Sequence, residues 1–439
     1  MKLVNIHKRY FFLILFGIGM QNIQAQEWTL NQCIDSALVH NKKLKIDANN
    51  ILLAKEKQKE VTANLIPKLS ASFDYKYYFD LPTQLMPAKA FNPTAPYWQF
   101  NAAQFGVPHN MNANIQIGMP LYNAQVYGGI KTTKIASKLR EIQYQKSKEE
   151  IYISISNIYY NAQIIKNQII FIGKNIKNSS KLLKNLKLLK KQKLVTGTDV
   201  KKIDLQVKQL ETQKQLLLNK YNQIINGLRI GMGVLENNLE VSSTINYKEL
   251  AQYSKNKITD IKLVETKSAL TDSEIKTLKK GRIPTVSLYG SYGKIGYGYD
   301  KKPNDFLDFY DVSFVGLKIN IPVFDLSRKH KIKQKKIEKE NTELQLSLLK
   351  EQNTIEIETA QKQVAISKKT IDNTVDQITI AQSIYDNTLL QHKEDTTSLT
   401  DVLLADNNLR TAQQNYLQAV VNYLKANLEL KKVTGNILN

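Results

Sequence analysis

The apolar and polar residues of this 439-residue chain follow two different periods in different segments. In four segments of about ten residues, apolar side chains occupy every second position, which is typical of a β-strand with one buried face. These segments begin at Leu69, Met111, Val286 and Val315. The chain is therefore expected to contain four strands in two pairs.

Two kinds of sheet fit this alternation: an ordinary half-buried sheet, or tilted strands that cross a membrane, which also need about ten residues. Aromatic residues collect toward the strand ends, and the connections 81–109 and 297–309 are rich in Gly, Pro, Asn and aromatic residues. Both features favour membrane strands. Because the smallest closed barrels have about eight strands, four such strands would require an oligomer.

The remaining sequence predicts unusually long helices. Residues 124–194 and 326–390 contain no proline, and at 1.5 Å per residue each segment predicts a rod of about 100 Å. Each rod is followed by a polar turn, at 196–199 or 395–398, and then by a return helix. The return helices carry apolar residues at alternating gaps of three and four, a heptad seam. The first seam consists of Ile203, Val207, Leu210, Lys214, Leu217, Tyr221, Ile224 and Leu228, of which Lys214 is the one charged member, and the second consists of Ala405, Leu409, Ala412, Tyr416, Ala419, Tyr423, Ala426 and Leu430.

The two halves of the chain repeat the same order of elements. Three pairs of matching residues are each separated by 202 positions: Pro120 and Pro322, Asp199 and Asp401, and Gly233 and Gly435. Tandem repeats that bury only part of their apolar surface usually meet around a shared core or axis. The repeat unit predicted here is strand, strand, long helix, helix.

The N-terminus predicts export. Lys2, Lys8 and Arg9 precede an apolar run that begins at Tyr10, and a small-residue cleavage site ends at Ala25. Beyond this signal, no apolar run approaches the roughly 20 residues of a membrane helix. The net charge of +23, from 62 Lys and Arg against 39 Asp and Glu, would suggest nucleic-acid binding in a cytosolic protein. Export argues against this partner, and the lysine clusters are interpreted as solvated helix faces.

Nothing in the sequence predicts catalysis. Cys33 is the only cysteine, so internal disulfides and cysteine-based metal clusters are excluded, and it is expected to be a core residue in a helix capped near Thr29. The histidines that follow the signal form no metal-ligand pair, and no nucleophile elbow or carboxylate dyad is present. These histidines are His40, His109, His330 and His392. The predicted protein is not an enzyme, with no catalytic residue, no metal site and no cofactor.

The order and spacing of several short motifs resemble the TolC family of outer-membrane efflux and secretion channels over essentially the whole mature chain. These motifs are 28–30 with Ala37, Leu38 and Asn41 at the start, 66–67 before the first strand, 118–122 and 319–324 where strand passes to helix, and the Thr-Asp-Val turns 198–200 and 400–402. The resemblance implies an α+β membrane protein. Four transmembrane strands per subunit would contribute to a trimeric 12-stranded barrel, and long antiparallel coiled-coil hairpins would form a periplasmic tunnel.

The resemblance also implies a gate at the periplasmic end of the tunnel, where acidic residues at the start of the return helices line a constriction. The matching residues are Asp199 and Asp401. A second interpretation is equally concrete, because an acid in the first turn of a helix complements the helix dipole and helps to cap it. Both roles can hold together, and a ring of carboxylates would attract cations.

Five positions at the tips depart from the family pattern. Leu404 stands where a second acid is common, with Asp406 displaced by two residues, and Thr397 and His392 stand where other members have an Arg and a Tyr that latch neighbouring hairpins. The tip glycine of the family is replaced by Lys193 and Asp395. The family's latch is therefore not expected here in its usual form.

The domain organisation expected from these patterns is as follows: a signal peptide (1–25), N-terminal helices (26–66), a first strand pair (67–122) with a long extracellular loop (81–109), a first helical hairpin (123–232), an equatorial linker (233–258), a helix (259–282), a second strand pair (283–322), a second helical hairpin (323–434) and a C-terminal tail (435–439). The predicted location is the outer membrane of a Gram-negative bacterium, with a large periplasmic portion.

The predicted function is the passive exit duct of a tripartite efflux or type I secretion system. The expected partners are two further copies of the chain in a homotrimer, a periplasmic adaptor (membrane fusion protein), an inner-membrane transporter of the RND or ABC type, and outer-membrane lipid. Adaptor contacts are expected at Leu194, Val195, Thr196, Gly197, Thr198, Thr397, Ser398, Leu399 and Thr400. The alternative is a periplasmic coiled-coil adaptor or scaffold without channel activity, which should have one hairpin and an inner-membrane anchor.

Overall fold

The computed structural model describes residues 27–235, 239–247, 253–300 and 308–438. The predicted signal peptide lies outside the described residues, as do parts of the linker 233–258 and of the loop 297–309. The helices are α1 (Leu30–His40), α2 (Lys42–Ala63), α3 (Ala124–Lys191), α4 (Gly197–Met232), α5 (Thr259–Lys280), α6 (Leu326–Lys393) and α7 (Leu399–Val433). The strands are β1 (Glu27–Trp28), β2 (Lys68–Tyr77), β3 (Thr83–Pro87), β4 (Phe100–Gln104), β5 (His109–Tyr122), β6 (Glu240–Val241), β7 (Thr285–Gly298) and β8 (Asp308–Asn320). Within the described ranges, no helix combines the length and the apolar character needed to cross a membrane.

The chain folds into two compact units, and each unit contains residues from both sequence halves. The sheet unit consists of the described residues within 51–140 and 265–344, and the helical unit consists of those within 1–50, 141–264 and 345–439. The two repeats are therefore not separate domains. Within each unit, equivalent elements of both halves pack together, as expected for repeats that share a core.

The sheet unit contains a four-stranded antiparallel sheet in the order β2-β5-β7-β8. The central pair, β5 and β7, joins the two halves of the chain, with His109 opposite Gly298 and Gly118 opposite Tyr289. Strands β2 and β8 lie at the edges, so within the described residues each has a neighbour in this sheet on one side only. An open edge presents unsatisfied backbone N–H and C=O groups to another strand.

The two faces of this sheet differ in polarity because the strand register brings residues of like polarity together. On one face, Leu69 lies opposite Ile117 and Phe73 lies opposite Ala113. On the other face, the hydroxyl of Ser72 donates to the Asn114 side-chain oxygen at 3.0 Å. The apolar face is largely uncovered, since the Phe73 side chain is 66% exposed. The alternation predicted from the sequence thus forms one apolar and one polar face.

The segment 81–109, expected to be a long loop, has structure of its own. Strands β3 and β4 form an antiparallel hairpin in which Thr83 lies opposite Gln104 and Pro87 opposite Phe100. A short 3-10 turn follows β3 at Ala88–Ala90. The sequence concealed this hairpin because each strand has only five residues and prolines occur on both sides of β3.

In the helical unit, part of the heptad seam predicted for each return helix is buried. Ile203, Leu210 and Leu228 of α4 are each at most 1% exposed. The seam of α7 includes the buried alanines 405, 412, 419 and 426, and small side chains at such a seam allow close helix approach. Val364 and Ile371 of α6 pack against Val420 and Tyr423 of α7 in one cluster. The predicted hairpin packing is confirmed at these positions.

The first helix is fixed by the cap that the sequence predicts. The Thr29 hydroxyl accepts a hydrogen bond from the Gln32 backbone N–H at 3.3 Å, and the Gln32 side-chain oxygen accepts one from the Thr29 N–H at 2.9 Å. This reciprocal pair is a capping box. It places Cys33 in a core cluster with Ile155 and Leu228, so the predicted core position of Cys33 is confirmed.

Burial makes the Cys33 thiol unreactive. The side chain is fully buried, and desolvation raises the pKa of the thiol to about 12. Since the thiolate is the nucleophile, the folded protein should not react with a thiol reagent such as DTNB at about pH 8. After unfolding in guanidinium chloride, one thiol per chain should react. Rapid labelling of the folded protein would contradict this burial.

Candidate functional site at the hairpin tips

The first hairpin reverses direction through a left-handed residue that is not glycine. After α3 ends at Lys191, the backbone N–H of Leu194 donates to the Leu189 carbonyl oxygen at 3.0 Å, which closes the helix end. This closure needs a positive φ at Lys193, where φ is 64°. The helix α4 then begins after Thr196, whose hydroxyl accepts a hydrogen bond from the Asp199 N–H at 3.2 Å.

The second hairpin uses the same device 202 residues later. The N–H of Thr396 donates to the Gln391 carbonyl oxygen at 3.0 Å, and Asp395 has a φ of 53°. Ser398 caps α7 by accepting from the Asp401 N–H at 3.2 Å. The two residues identified from the sequence as replacements of a tip glycine, Lys193 and Asp395, are therefore the two left-handed positions of the tips.

Both candidate gate carboxylates take part in capping boxes. The Asp199 carboxylate accepts from the Thr196 hydroxyl at 2.6 Å, and the Asp401 carboxylate accepts from the Ser398 hydroxyl at 2.6 Å. These hydroxyl hydrogen bonds lower the pKa of both carboxyls, and the Thr397 hydroxyl adds to the effect at Asp401. Both acids therefore stay charged to lower pH than an ordinary aspartate, and the capping interpretation of the sequence is satisfied.

The two tips of one chain pack against each other through apolar side chains. Leu399, at the start of α7, is 6% exposed and belongs to a cluster with Leu186 and Ile203 of the first hairpin. Leu399 was expected to contact an adaptor, but it is buried because it packs between the hairpins. Its side chain is therefore not accessible to an adaptor. Leu194, by contrast, is 69% exposed.

The departures from the family pattern make local contacts within the second tip. A ring nitrogen of His392, Nδ1, lies 3.0 Å from the Thr397 carbonyl oxygen, and the Thr397 hydroxyl donates to Asp401 at 3.0 Å. Leu404 is 60% exposed. His392 and Thr397, the residues at the latch positions, thus make hydrogen-bond contacts within the second tip.

A groove runs between α3 and α6 beside the tips. Its lining includes the apolar residues Leu182, Leu189 and Leu389 and the charged residues Lys181 and Asp395. Apolar grooves with polar rims are suited to helix docking. Among the described residues, no group of three His, Cys, Asp or Glu side chains is arranged to hold a metal ion.

One charged residue near the tips is buried. Asp406 is 4% exposed, accepts a hydrogen bond from the Gln206 side-chain amide, and lies 3.3 Å from Nε of Arg410. Sequence reasoning identified Asp406 only as a displaced second acid. Its position on the seam side of α7, one residue after Ala405, is the signal that would have indicated burial.

Comparison with known proteins agrees with this geometry. Residues 256–436 match the family described as outer membrane efflux protein. The chain is also 20% identical to outer membrane protein TolC of Salmonella enteritidis, over 97% of this chain and 86% of that protein.

Solved structures of outer-membrane channels share the fold. The CmeC channel of Campylobacter jejuni matches with a TM-score of 0.74 and 14% identity, covering 93% of this chain and 85% of CmeC. The outer membrane protein VceC of Vibrio cholerae matches with a TM-score of 0.71 and 15% identity, covering 92% of this chain and 96% of VceC.

These findings confirm the resemblance to the TolC family and the predicted fold class, in which strands are combined with long helical hairpins. These similarities indicate an outer-membrane protein of a Gram-negative bacterium, with a periplasmic portion. The prediction that it is not an enzyme is confirmed by the family, whose members are transport channels.

The left-handed backbone at Lys193 offers a test of the tip geometry. Replacing Lys193 by glycine should stabilise the folded protein by about 1 kcal/mol, because glycine adopts a positive φ without the steric cost that a Cβ brings. Lys187→Gly, at an exposed position within α3, should destabilise it by about 1 kcal/mol. The measurement is the apparent melting temperature in detergent. If both variants melt below the wild type by similar amounts, the left-handed tip is wrong.

Proposed function

We propose that three copies of this chain form the passive exit duct of a tripartite efflux or type I secretion system. A periplasmic adaptor opens the hairpin tips, and an inner-membrane transporter of the RND or ABC type drives the cargo. The duct itself makes and breaks no bond. Its contribution is a water-filled path across the outer membrane and part of the periplasm.

The observation that carries this proposal is the open-edged sheet. Strands β2 and β8 each have one side free in the described sheet, and unsatisfied backbone groups are costly in a membrane. Pairing β8 of one copy with β2 of the next satisfies both edges. Four strands are too few to close a barrel, whereas three copies supply twelve.

The polarity of the two faces supports the same assembly. Closing the sheet with its apolar face outward would place Leu69, Phe73 and Ile117 against outer-membrane lipid. The polar face, with Ser72 and Asn114, would then line the channel. This arrangement matches the polarity of known membrane barrels.

A second uncovered surface lies on α6 within the helical unit. Five apolar side chains at helical spacing are each at least half exposed on one side of this helix: Leu348, Ile355, Ile366, Ile380 and Ile384. Their gaps of 7, 11, 14 and 4 residues are those of a heptad-like seam. A seam of this length requires a partner helix, and a helix of the neighbouring copy would supply it.

The hairpin tips are the proposed adaptor contact. Their accessible or partly accessible residues are Leu194, Val195, Thr196, Gly197, Thr198, Thr397, Ser398 and Thr400. The groove between α3 and α6, which is lined in part by leucines, provides an adjoining site for a helical partner. Asp199 and Asp401 lie between these residues, where threefold repetition would concentrate negative charge.

The test is to purify the outer-membrane fraction in mild detergent, measure the oligomer mass, and record single-channel conductance in a planar bilayer. We expect a trimer with a small, cation-sensitive conductance. Asp401→Ala should raise the conductance and weaken its cation sensitivity, because it removes one charge per subunit. A monomeric species without conductance would contradict the proposed duct function and favour the alternative, a periplasmic scaffold protein.

Ser398→Ala is the matched control for the role of Asp401. Both substitutions remove half of the same capping box, at a cost of about 1 kcal/mol for the serine, but only Asp401→Ala removes charge. If both variants change the conductance equally, Asp401 acts as a helix cap and not as a gate residue.

A pair of neighbouring strand positions tests which face meets lipid. Ile117→Lys should lower the yield of assembled trimer, because a lysine on the lipid face costs about 2–4 kcal/mol near the bilayer midplane. Gln116→Lys, on the opposite face, should assemble normally and shift ion selectivity toward anions. The reverse pattern of yields would mean that the polar face is outside.

A further inference from the structure

The sheet unit leaves apolar side chains uncovered where each strand pair passes into a long helix. In the second repeat, Val323 and Phe324 follow β8 and are 92% and 83% exposed. Their equivalents 202 positions earlier, Leu121 and Tyr122, lie at the end of β5 and are 46% and 44% exposed. Strands β5 and β8 are both antiparallel to β7, so the two exposed apolar pairs lie at the same end of the sheet.

Lysines follow these apolar pairs at the same positions of both repeats. Lys131 and Lys134 of α3 correspond, 202 positions later, to Lys333 and Lys336 of α6, and all four are exposed. They lie within about the first three turns of their helices. We call these four residues the repeated lysines.

Other lysines on α6 are neutralised within the fold, whereas the repeated lysines are not. Lys335 pairs with Glu274 of α5 at 2.7 Å, and Lys339 pairs with Asp272 of α5 at 3.3 Å. Within the described part of the chain, no ion pair involves any of the repeated lysines. Their charges therefore face solvent in the single chain.

The charge balance around the start of α6 is strongly positive. Segments 276–282 and 325–337 contain four and six Lys and Arg residues respectively, against a single acid, Asp325. Asp325 is already paired with Arg328 at 3.0 Å. Arg328 also donates to the Gly281 carbonyl oxygen, which holds the end of α5 beside the start of α6. The two basic segments are thus brought together.

The exposed apolar pairs distinguish this surface from an ordinary basic helix face. Lysines alone would indicate a solvated face, but exposing Val323 and Phe324 to water is unfavourable. Apolar side chains next to cations are the pattern of a segment at a bilayer surface, where the apolar groups enter the acyl boundary and the cations meet the headgroups. Lysine suits this position because its stem packs along apolar surface while its ammonium group stays in water.

We propose that the repeated lysines bind the phosphate groups of anionic phospholipids in the periplasmic leaflet of the outer membrane. A phospholipid supplies an anion for the lysines and acyl chains for the exposed apolar pairs. A neighbouring copy of the chain would bring the same excess of cations to this end of the sheet, so charge complementarity favours lipid. The inference rests on the proposed duct, in which the apolar sheet face meets lipid, and adds a preference for one class of lipid.

The experiment measures lipid binding to the full-length protein in mild detergent by native mass spectrometry. Phosphatidylglycerol is the anionic probe, and phosphatidylethanolamine with the same acyl chains is the zwitterionic control. The wild type should bind phosphatidylglycerol about tenfold more tightly than phosphatidylethanolamine in about 0.1 M ammonium acetate. This preference should fall in about 0.5 M ammonium acetate, because salt screens exposed charges.

Glutamine variants remove the charges and keep long polar side chains. With all four repeated lysines replaced, the preference for phosphatidylglycerol should disappear, at about fivefold for each lysine that meets a headgroup. The double variants Lys131→Gln with Lys134→Gln and Lys333→Gln with Lys336→Gln should each lose part of it. Phe324→Ser should weaken the binding of both lipids alike, because it removes apolar surface and no charge.

Lys362→Gln with Lys369→Gln is the matched control. Both lysines are exposed on α6, and Lys362 lies about 40 Å further along the helix than Lys336. This variant loses the same charge as either double variant of the repeated lysines. It should keep the wild-type lipid preference.

Four results would overturn the proposal. The first is equal binding of both lipids by the wild type at low salt. The second is a wild-type preference in the four-lysine variant or, if that variant does not assemble, in both double variants. The third is an equal loss of preference in the control variant. The fourth is a lower trimer yield with an unchanged preference, since the lysines would then act between copies.

Conductance of the same preparations separates these failures from failure of the duct. If only the lipid inference is wrong, the wild-type trimer still conducts in a planar bilayer. If the duct itself is wrong, the protein is monomeric and neither the wild type nor any variant conducts.

Discussion

Every backbone N–H and C=O group that leaves water needs a hydrogen-bond partner, and in this chain that requirement bears most heavily on β2 and β8. Each is a long edge strand beside an apolar face that is uncovered in the single chain. A soluble protein usually protects such edges with charges, bulges or covering segments. Here both edges are regular and lie at opposite ends of one sheet, so the simplest way to satisfy them is to join copies of the chain edge to edge. The exposed apolar seam on α6 also favours contact with another copy of the chain. In that case the driving force is burial of apolar side chains and not the pairing of backbone hydrogen-bond groups.

Because the sequence is duplicated, the helical unit contains two copies of the same helix–turn–helix tip. The two copies differ at the first residue of the return helix. Both close the preceding helix with a left-handed residue and open the next one with a capping box. At the first residue of the return helix, however, the first copy has Gly197 and the second has Leu399. The leucine packs into the first hairpin, so this difference between the copies adds an apolar contact between the two tips.

The polar cluster around Asp406 joins α4 and α7 by a hydrogen bond instead of an apolar contact. The contacts between α4 and α7 include an apolar one between Leu399 and the cluster of Ile203, and apolar contacts supply stability with little specificity of alignment. The single buried carboxylate adds directionality at a cost in desolvation, as polar residues do at core positions of coiled coils. The family's second acid position is occupied by the exposed Leu404, while the acid two residues further on is turned inward. A shift of two residues on a helix rotates a side chain by about 200°, which is enough to exchange an exposed site for a buried one.

The sequence by itself determined the elements that depend on local periodicity and local hydrogen bonds. The four strands, the long helices, the Thr29 cap and the buried heptad positions follow from spacing within about ten residues. It did not reveal the hairpin of β3 and β4, because strands of only five residues carry too little periodic signal. Nor did it show that both compact units mix residues of the two repeats, that Leu399 is buried, or that Gln206 meets Asp406 across 200 positions. These features depend on which helix faces which, and only tertiary packing decides that, because a heptad seam identifies the buried side of a helix without identifying its partner.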